Sequence, residues 1–162
     1  MSLLISVNTE AIRKFFENPV VLSAVTSFFF AQFVKVLILL AKNTKKRGRD
    51  VAETFFWKTG GMPSSHAALV AALTMSIGFE EGITSNIFIV SFFFTLVVLR
   101  DATGVRRSSG IQAKTLNLLG KTLSQKLKIE YHAVKEVHGH TPLEVVVGSF
   151  IGILFASAIK YL

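Results

Sequence analysis

The chain has 162 residues, of which 51% are hydrophobic and 17% charged, with a formal net charge of +8 and a mean hydropathy of +0.52. The apolar residues are gathered into long runs, which points to a bilayer rather than a soluble core. There is no cysteine, so disulfides and thiolate catalysis are excluded.

Residues 1–18 are short and mixed. They carry Glu10, Arg13, Lys14 and Glu17 and lack the apolar core of a cleavable signal. Ile5, Ile12, Phe15 and Phe16 fit one face of an interfacial helix, and Asn18-Pro19 marks a break and a helix start. Residues 20–41 form the clearest membrane span. Lys35 lies within it, where a central lysine costs roughly 2.5–3.5 kcal/mol. Either Lys35 snorkels to the interface, or it faces the bundle and binds an anion.

Residues 42–59 are a basic loop with six Lys and Arg residues, and Trp57 suits a membrane interface. The stretch Gly60-Gly61-Met62-Pro63-Ser64-Ser65-His66 turns this loop into the next helix. The glycines loosen the backbone, Pro63 restricts φ, and Ser64 and Ser65 are good caps. A helix N-terminus of this kind favours an anion such as phosphate, with His66 at its mouth. An ordinary cap explains the same residues.

Residues 65–79 and 87–100 are two further apolar segments, short for a bilayer, joined by the acidic turn 80–86. Residues 101–141 are the longest polar stretch, with seven Lys and Arg residues. A turn around Gly104 presents Arg106 and Arg107, which either clamp phosphate or anchor a cytoplasmic loop. Asp101 reads first as a paired interfacial charge. A helical pattern after Gly110 places Leu116, Leu119, Leu123 and Leu127 on one side, with Lys114, Lys121, Lys126 and Lys128 mostly elsewhere. It suits an anionic leaflet, or a solvated helix packed on the protein. Residues 142–161 are the last apolar segment, with Gly148 and Gly152 spaced for close helix contact.

The fold class expected is all-α integral membrane: one domain over residues 1–162, a small bundle of about four apolar helices with interfacial amphipathic helices. The basic loops face the cytoplasm by the positive-inside rule. The 60–66, 101–107 and 138–144 stretches then meet at one membrane face. At the last of these, Thr141, Pro142 and Glu144 fit a capping box. That cap leaves His140 unexplained: beside a bound anion it serves as nucleophile or base, with Glu144 orienting it if the two carboxylate oxygens divide the work. His138 and His140 alone make a weak metal pair, and His132 reads as surface.

Pro63-Ser64-Ser65-His66, with His140-x-x-x-Glu144, resembles the type 2 phosphatidic acid phosphatase and vanadium haloperoxidase superfamily. The three stretches 60–66, 101–107 and 139–145 together resemble its small divergent branch, often labelled acid phosphatase/haloperoxidase-related. The resemblance implies a helical membrane bundle and a metal-independent lipid phosphate phosphatase without a cofactor. In it His140 attacks phosphorus, Glu144 orients His140 and His66 protonates the leaving alcohol. Ser64, Ser65, Lys35, Arg106 and Arg107 hold the phosphate oxygens, with Asp101 as a further candidate, and vanadate mimics the pentavalent phosphorus. The chain departs from the superfamily pattern in four places. No arginine occurs in 133–137, so Arg106 or Arg107 is expected to substitute. Ser65 stands where glycine is usual, Glu144 where aspartate is usual, and the first motif has no clear copy, with Lys35 as its candidate.

The expected partners are a lipid phosphate substrate and the membrane, not nucleic acid, and four short helices favour a homo-oligomer. The expected location is a bacterial inner membrane with the site at the cytoplasmic face. The alternatives are a non-catalytic anionic-lipid-binding or scaffold protein, and a small transporter or flippase.

Overall fold

A computed structural model describes residues 9–42, 61–136 and 139–162. The basic loop with Trp57, residue Ile5 and His138 lie outside the described residues. Among the described residues six helices follow in order: α1 (Thr9–Glu17), α2 (Pro19–Lys42), α3 (Ser65–Glu81), α4 (Asn86–Thr103), α5 (Val105–Leu127) and α6 (Pro142–Tyr161). Among the described residues there is no strand.

Helix α1 is amphipathic and buries none of its residues; Ile12, Phe15 and Phe16 are exposed along it, as an interfacial helix requires. Asn18 ends it and starts α2, its Oδ1 accepting from Val20 N at 2.8 Å. Among the described residues three stretches are long and apolar enough to cross a membrane: Pro19–Ala41, the bent run Asn86–Leu127, and Pro142–Tyr161. Helix α3 has 17 residues. The short segments read from the sequence are each extended into their flanks, α3 to Glu81 and α4 from Asn86 to Thr103.

Helix α3 is the centre of the bundle and packs against α2, α4 and α6. Most of its buried residues are small, among them Ala67, Ala68, Ala71, Ala72 and Ser76. Small side chains let helix backbones approach, and that contact replaces the hydrophobic drive that lipid does not supply. The approach is closest to α6. A Cβ on Gly148 would strike the carbonyl oxygen of Ser64, and one on Gly152 that of Ala68. Hydroxyls link the other neighbours. Thr74 Oγ1 meets Ser91 Oγ at 2.7 Å and Thr95 Oγ1 at 2.8 Å, and Ser27 Oγ donates to Ala68 O at 3.3 Å. Large apolar residues such as Phe29, Phe33, Phe93, Val97, Phe150 and Leu154 are exposed, which is the surface that lipid covers.

Gly82, at φ +82°, makes the tight turn from α3, and Ser85 caps α4 through Phe88 N at 3.3 Å. The chain thus runs up and down. The ends of α2 and α4 and the starts of α3 and α6 gather at one face.

The start of α5 differs from the sequence expectation. The helix begins at Val105 rather than after Gly110, so Arg106 and Arg107 stand in its first turn and not in a loop. The ladder passes through the bend because Gly104 N bonds Arg100 O at 2.8 Å and Ser108 N bonds Gly104 O at 2.9 Å. Glycine is required at the bend, since a Cβ there would lie 2.9 Å from Arg100 O. Among the described helices α5 touches only α4. Its leucines 116, 119, 123 and 127 are exposed rather than packed on the protein. Ala113 and Asn117 are its buried residues, and the segment 129–136 returns along it, with Tyr131 against Gly120. There Asn117 Nδ2 donates to Val134 O at 2.9 Å and Glu136 Oε1 at 2.8 Å. Asn117 Oδ1 accepts from Tyr131 OH at 2.6 Å and Val134 N at 2.8 Å.

Candidate active site

Two helix N-termini meet at the site. Ser64 caps α3, its Oγ accepting from Ala67 N at 3.4 Å. Its own N–H donates to Glu144 O, in the first turn of α6, at 3.0 Å. Gly148 makes this contact sterically feasible, because its missing side chain leaves room for Ser64 O. The positive ends of α3 and α6 therefore lie side by side, an arrangement that favours an anion.

The third stretch is tied in through the main chain. His140 N donates to Ala102 O at 3.0 Å, which docks the loop before α6 on the end of α4. Gly139 lies against the backbone of Arg107, where a Cβ would overlap the Arg107 N and Cα. The 61–66, 101–107 and 139–144 stretches are thus joined at one face, as the topology read from the sequence requires.

His140 is 7% exposed, and its Nδ1 lies 3.0 Å from Glu144 Oε2. A carboxylate at that nitrogen favours the tautomer with the proton on Nδ1, which leaves the Nε2 lone pair for a ligand or an electrophile. The capping box is also present: Glu144 N donates to Thr141 Oγ1 at 3.4 Å and Thr141 N donates to Glu144 Oε2 at 3.1 Å. One oxygen, Oε2, therefore serves both imidazole and cap, which corrects the expectation that the two oxygens divide the work. A carboxylate oxygen has two lone pairs, so both bonds can form together.

Lys35 is 6% exposed. It faces the bundle rather than snorkelling, its stem beside Gly61, whose hypothetical Cβ would stand 4.0 Å from Lys35 Cγ and Cδ. Its charge lies within electrostatic reach of Glu144. His66 is exposed on the first turn of α3, edge-on to Phe28 with ring centroids 6.1 Å apart. It lies within electrostatic reach of Arg106, Lys35 and His140. Ser65 is buried beside it.

The two arginines differ. Arg106 Nε pairs with Asp101 Oδ2 at 2.5 Å, so Asp101 is a paired charge and orients the guanidinium. Arg107 supplies backbone beneath Gly139, and its side chain is exposed. Sequence reasoning missed Ala102 and Gly139, whose contribution is main-chain contact. It also missed Asn117, a polar residue set between lysines and leucines.

The chain is 35% identical over 155 residues to an uncharacterized membrane protein, YuiD, of Bacillus subtilis (strain 168), covering 89% of this chain and 95% of that protein. No solved structure matches. A family model described as the divergent PAP2 family matches residues 16–155. With the glycine-seated helix N-termini and the His140–Glu144 pair in place, the chain is an all-α integral membrane protein that belongs to the divergent PAP2 family.

Proposed function

We propose that the protein is a lipid phosphate phosphatase, one membrane-embedded domain that hydrolyses a phosphomonoester or pyrophosphate of a lipid at the cytoplasmic face of a bacterial inner membrane. The observation that carries this reading is the buried His140–Glu144 pair beside two converging helix N-termini.

Nε2 of His140 attacks phosphorus as the bond to the leaving oxygen breaks. His66 gives its proton to that oxygen, and the phosphate stays on His140. Water then attacks phosphorus, His66 takes its proton, the P–N bond breaks and inorganic phosphate leaves. Glu144 stabilises the charge that develops on the imidazole. Lys35, Arg106, Arg107, Ser64 and Ser65 hold the non-bridging oxygens, so stabilisation is electrostatic. The exposed apolar faces around the bundle suit a substrate that arrives from the bilayer.

A second reading has one observation in its favour. The Asp101 carboxylate already occupies Arg106 Nε, which weakens its hold on a phosphate and fits a non-catalytic anionic-lipid-binding or scaffold protein. Release of inorganic phosphate from a panel of lipid monophosphates and pyrophosphates separates the two. The phosphatase releases phosphate, vanadate blocks it, and His140→Ala loses it by at least about a thousand-fold. A folded protein that releases none from any lipid favours the scaffold.

A further inference from the structure

The bend between α4 and α5 carries a second polar feature on the side away from His140. Helix α4 turns Ser91, Thr95 and Ala102 into the bundle, and Ala102 O receives His140 N. The opposite face presents Val90, Phe93 and Val97, all exposed, and then Arg100. Spacings of three and four residues put these four on one stripe. Where α5 departs, a crevice of about 600 Å³ opens, lined by Arg100, Thr103, Ser108, Ser109 and Gln112 among others, with no acidic residue.

The groups in the crevice are arranged to donate. Gln112 Nε2 donates to Ser108 Oγ at 3.3 Å, which leaves the Ser108 proton for a further acceptor. Among the described residues Arg100 forms no ion pair, so a guanidinium at the end of an apolar helix is left without a carboxylate. Guanidinium and hydroxyl donors together match phosphate oxygens. From Arg100 back to Val90 the helix rises roughly 15 Å, about half the thickness of a bilayer's hydrocarbon core. That is the depth reached by the acyl chains of one leaflet.

We infer that this bend binds one anionic glycerophospholipid, its phosphodiester held by Arg100, Ser108 and Ser109 and an acyl chain lying along Val97, Phe93 and Val90. A choline headgroup would set its cation beside Arg100 with no carboxylate to receive it, so zwitterionic lipid is disfavoured. The site is separate from the candidate active site and does not depend on the phosphatase reading.

The test uses the full chain purified in detergent and native mass spectrometry, with phosphatidylglycerol and phosphatidylcholine of the same acyl chains added in turn. Retention of one phosphatidylglycerol per chain, in preference to phosphatidylcholine and not displaced by inorganic phosphate, supports the site. Arg100→Gln should weaken it about tenfold, the usual loss for a charge-assisted contact, and Ser108→Ala in the same direction by less. Arg100 is exposed, so its substitution leaves the fold intact. His140→Ala should retain the lipid. Equal retention of both lipids, or unchanged binding in Arg100→Gln and Ser108→Ala, overturns the inference. Loss in His140→Ala instead places the lipid at the other site, and a dimer with no retained lipid gives the stripe to a second copy; either overturns it as well.

Discussion

The corner where α3 and α6 begin and the arm formed by α5 hold their polar groups in different ways. At the corner the links run through the main chain: Ser64 N to Glu144 O and His140 N to Ala102 O, with Gly148 and Gly139 leaving the space. In the arm one side chain, Asn117, carries four hydrogen bonds to the segment that returns toward His140. Main-chain links cannot rotate away, so the corner holds atoms in fixed positions, as catalysis requires. An arm that depends on one amide can loosen without disturbing the bundle.

The largest expected effect comes from closing the corner's space. Gly148→Leu forces α6 away from Ser64, and overpacking of this kind costs about 1–3 kcal/mol or more; in detergent the variant should lose its folded elution peak or melt far earlier. Next, Glu144→Gln separates the two duties of Oε2. An amide oxygen can still accept from Thr141 N, but it no longer balances an imidazolium. Phosphate release should fall about 10²–10⁴-fold with little change in melting temperature. Thr141→Ala should do the reverse, lowering stability by about 1 kcal/mol and activity far less.

A smaller effect is expected in the arm. Asn117→Ala should speed amide exchange at 131–136, Val134 above all, while the exchange of α3 and α6 stays as it was. If the whole bundle exchanges faster, the arm and the corner are one unit and the contrast fails. The smallest effect belongs to Lys160→Ala. It breaks the pair with Glu80 at the far end, 3.1 Å and partly exposed, and should cost no more than about 1 kcal/mol with unchanged phosphate release.

The corner was more legible than the arm because its signals are local. Thr141-Pro142-x-Glu144 fixes the start of α6 by capping chemistry, and the helix runs over 142–161 as read. Ser64 likewise marks the start of α3. The orientation of Lys35 was open, because α2 is apolar nearly all round and such a helix has no periodicity to show which face is inward. The start of α5 was misplaced because Gly104, Ser108, Ser109 and Gly110 resemble turn residues. The ladder continues through them, and no local rule reports that. The sharing of Oε2 depends on a distance of 3.0 Å between side chains, which spacing along a helix permits but does not require. Asn117 was hidden for a similar reason: its partners, Tyr131 and Val134, lie more than a dozen positions away in the chain.

The proposed phosphatase turns on His140 Nε2 taking the phosphate. The direct measurement is a single-turnover reaction with a labelled lipid phosphate, quenched in alkali to preserve phosphohistidine and followed by peptide mass spectrometry. A phosphohistidine mechanism puts labelled phosphate on His140, formed before inorganic phosphate appears and absent when vanadate is present. Release of phosphate without any label on His140 would contradict it.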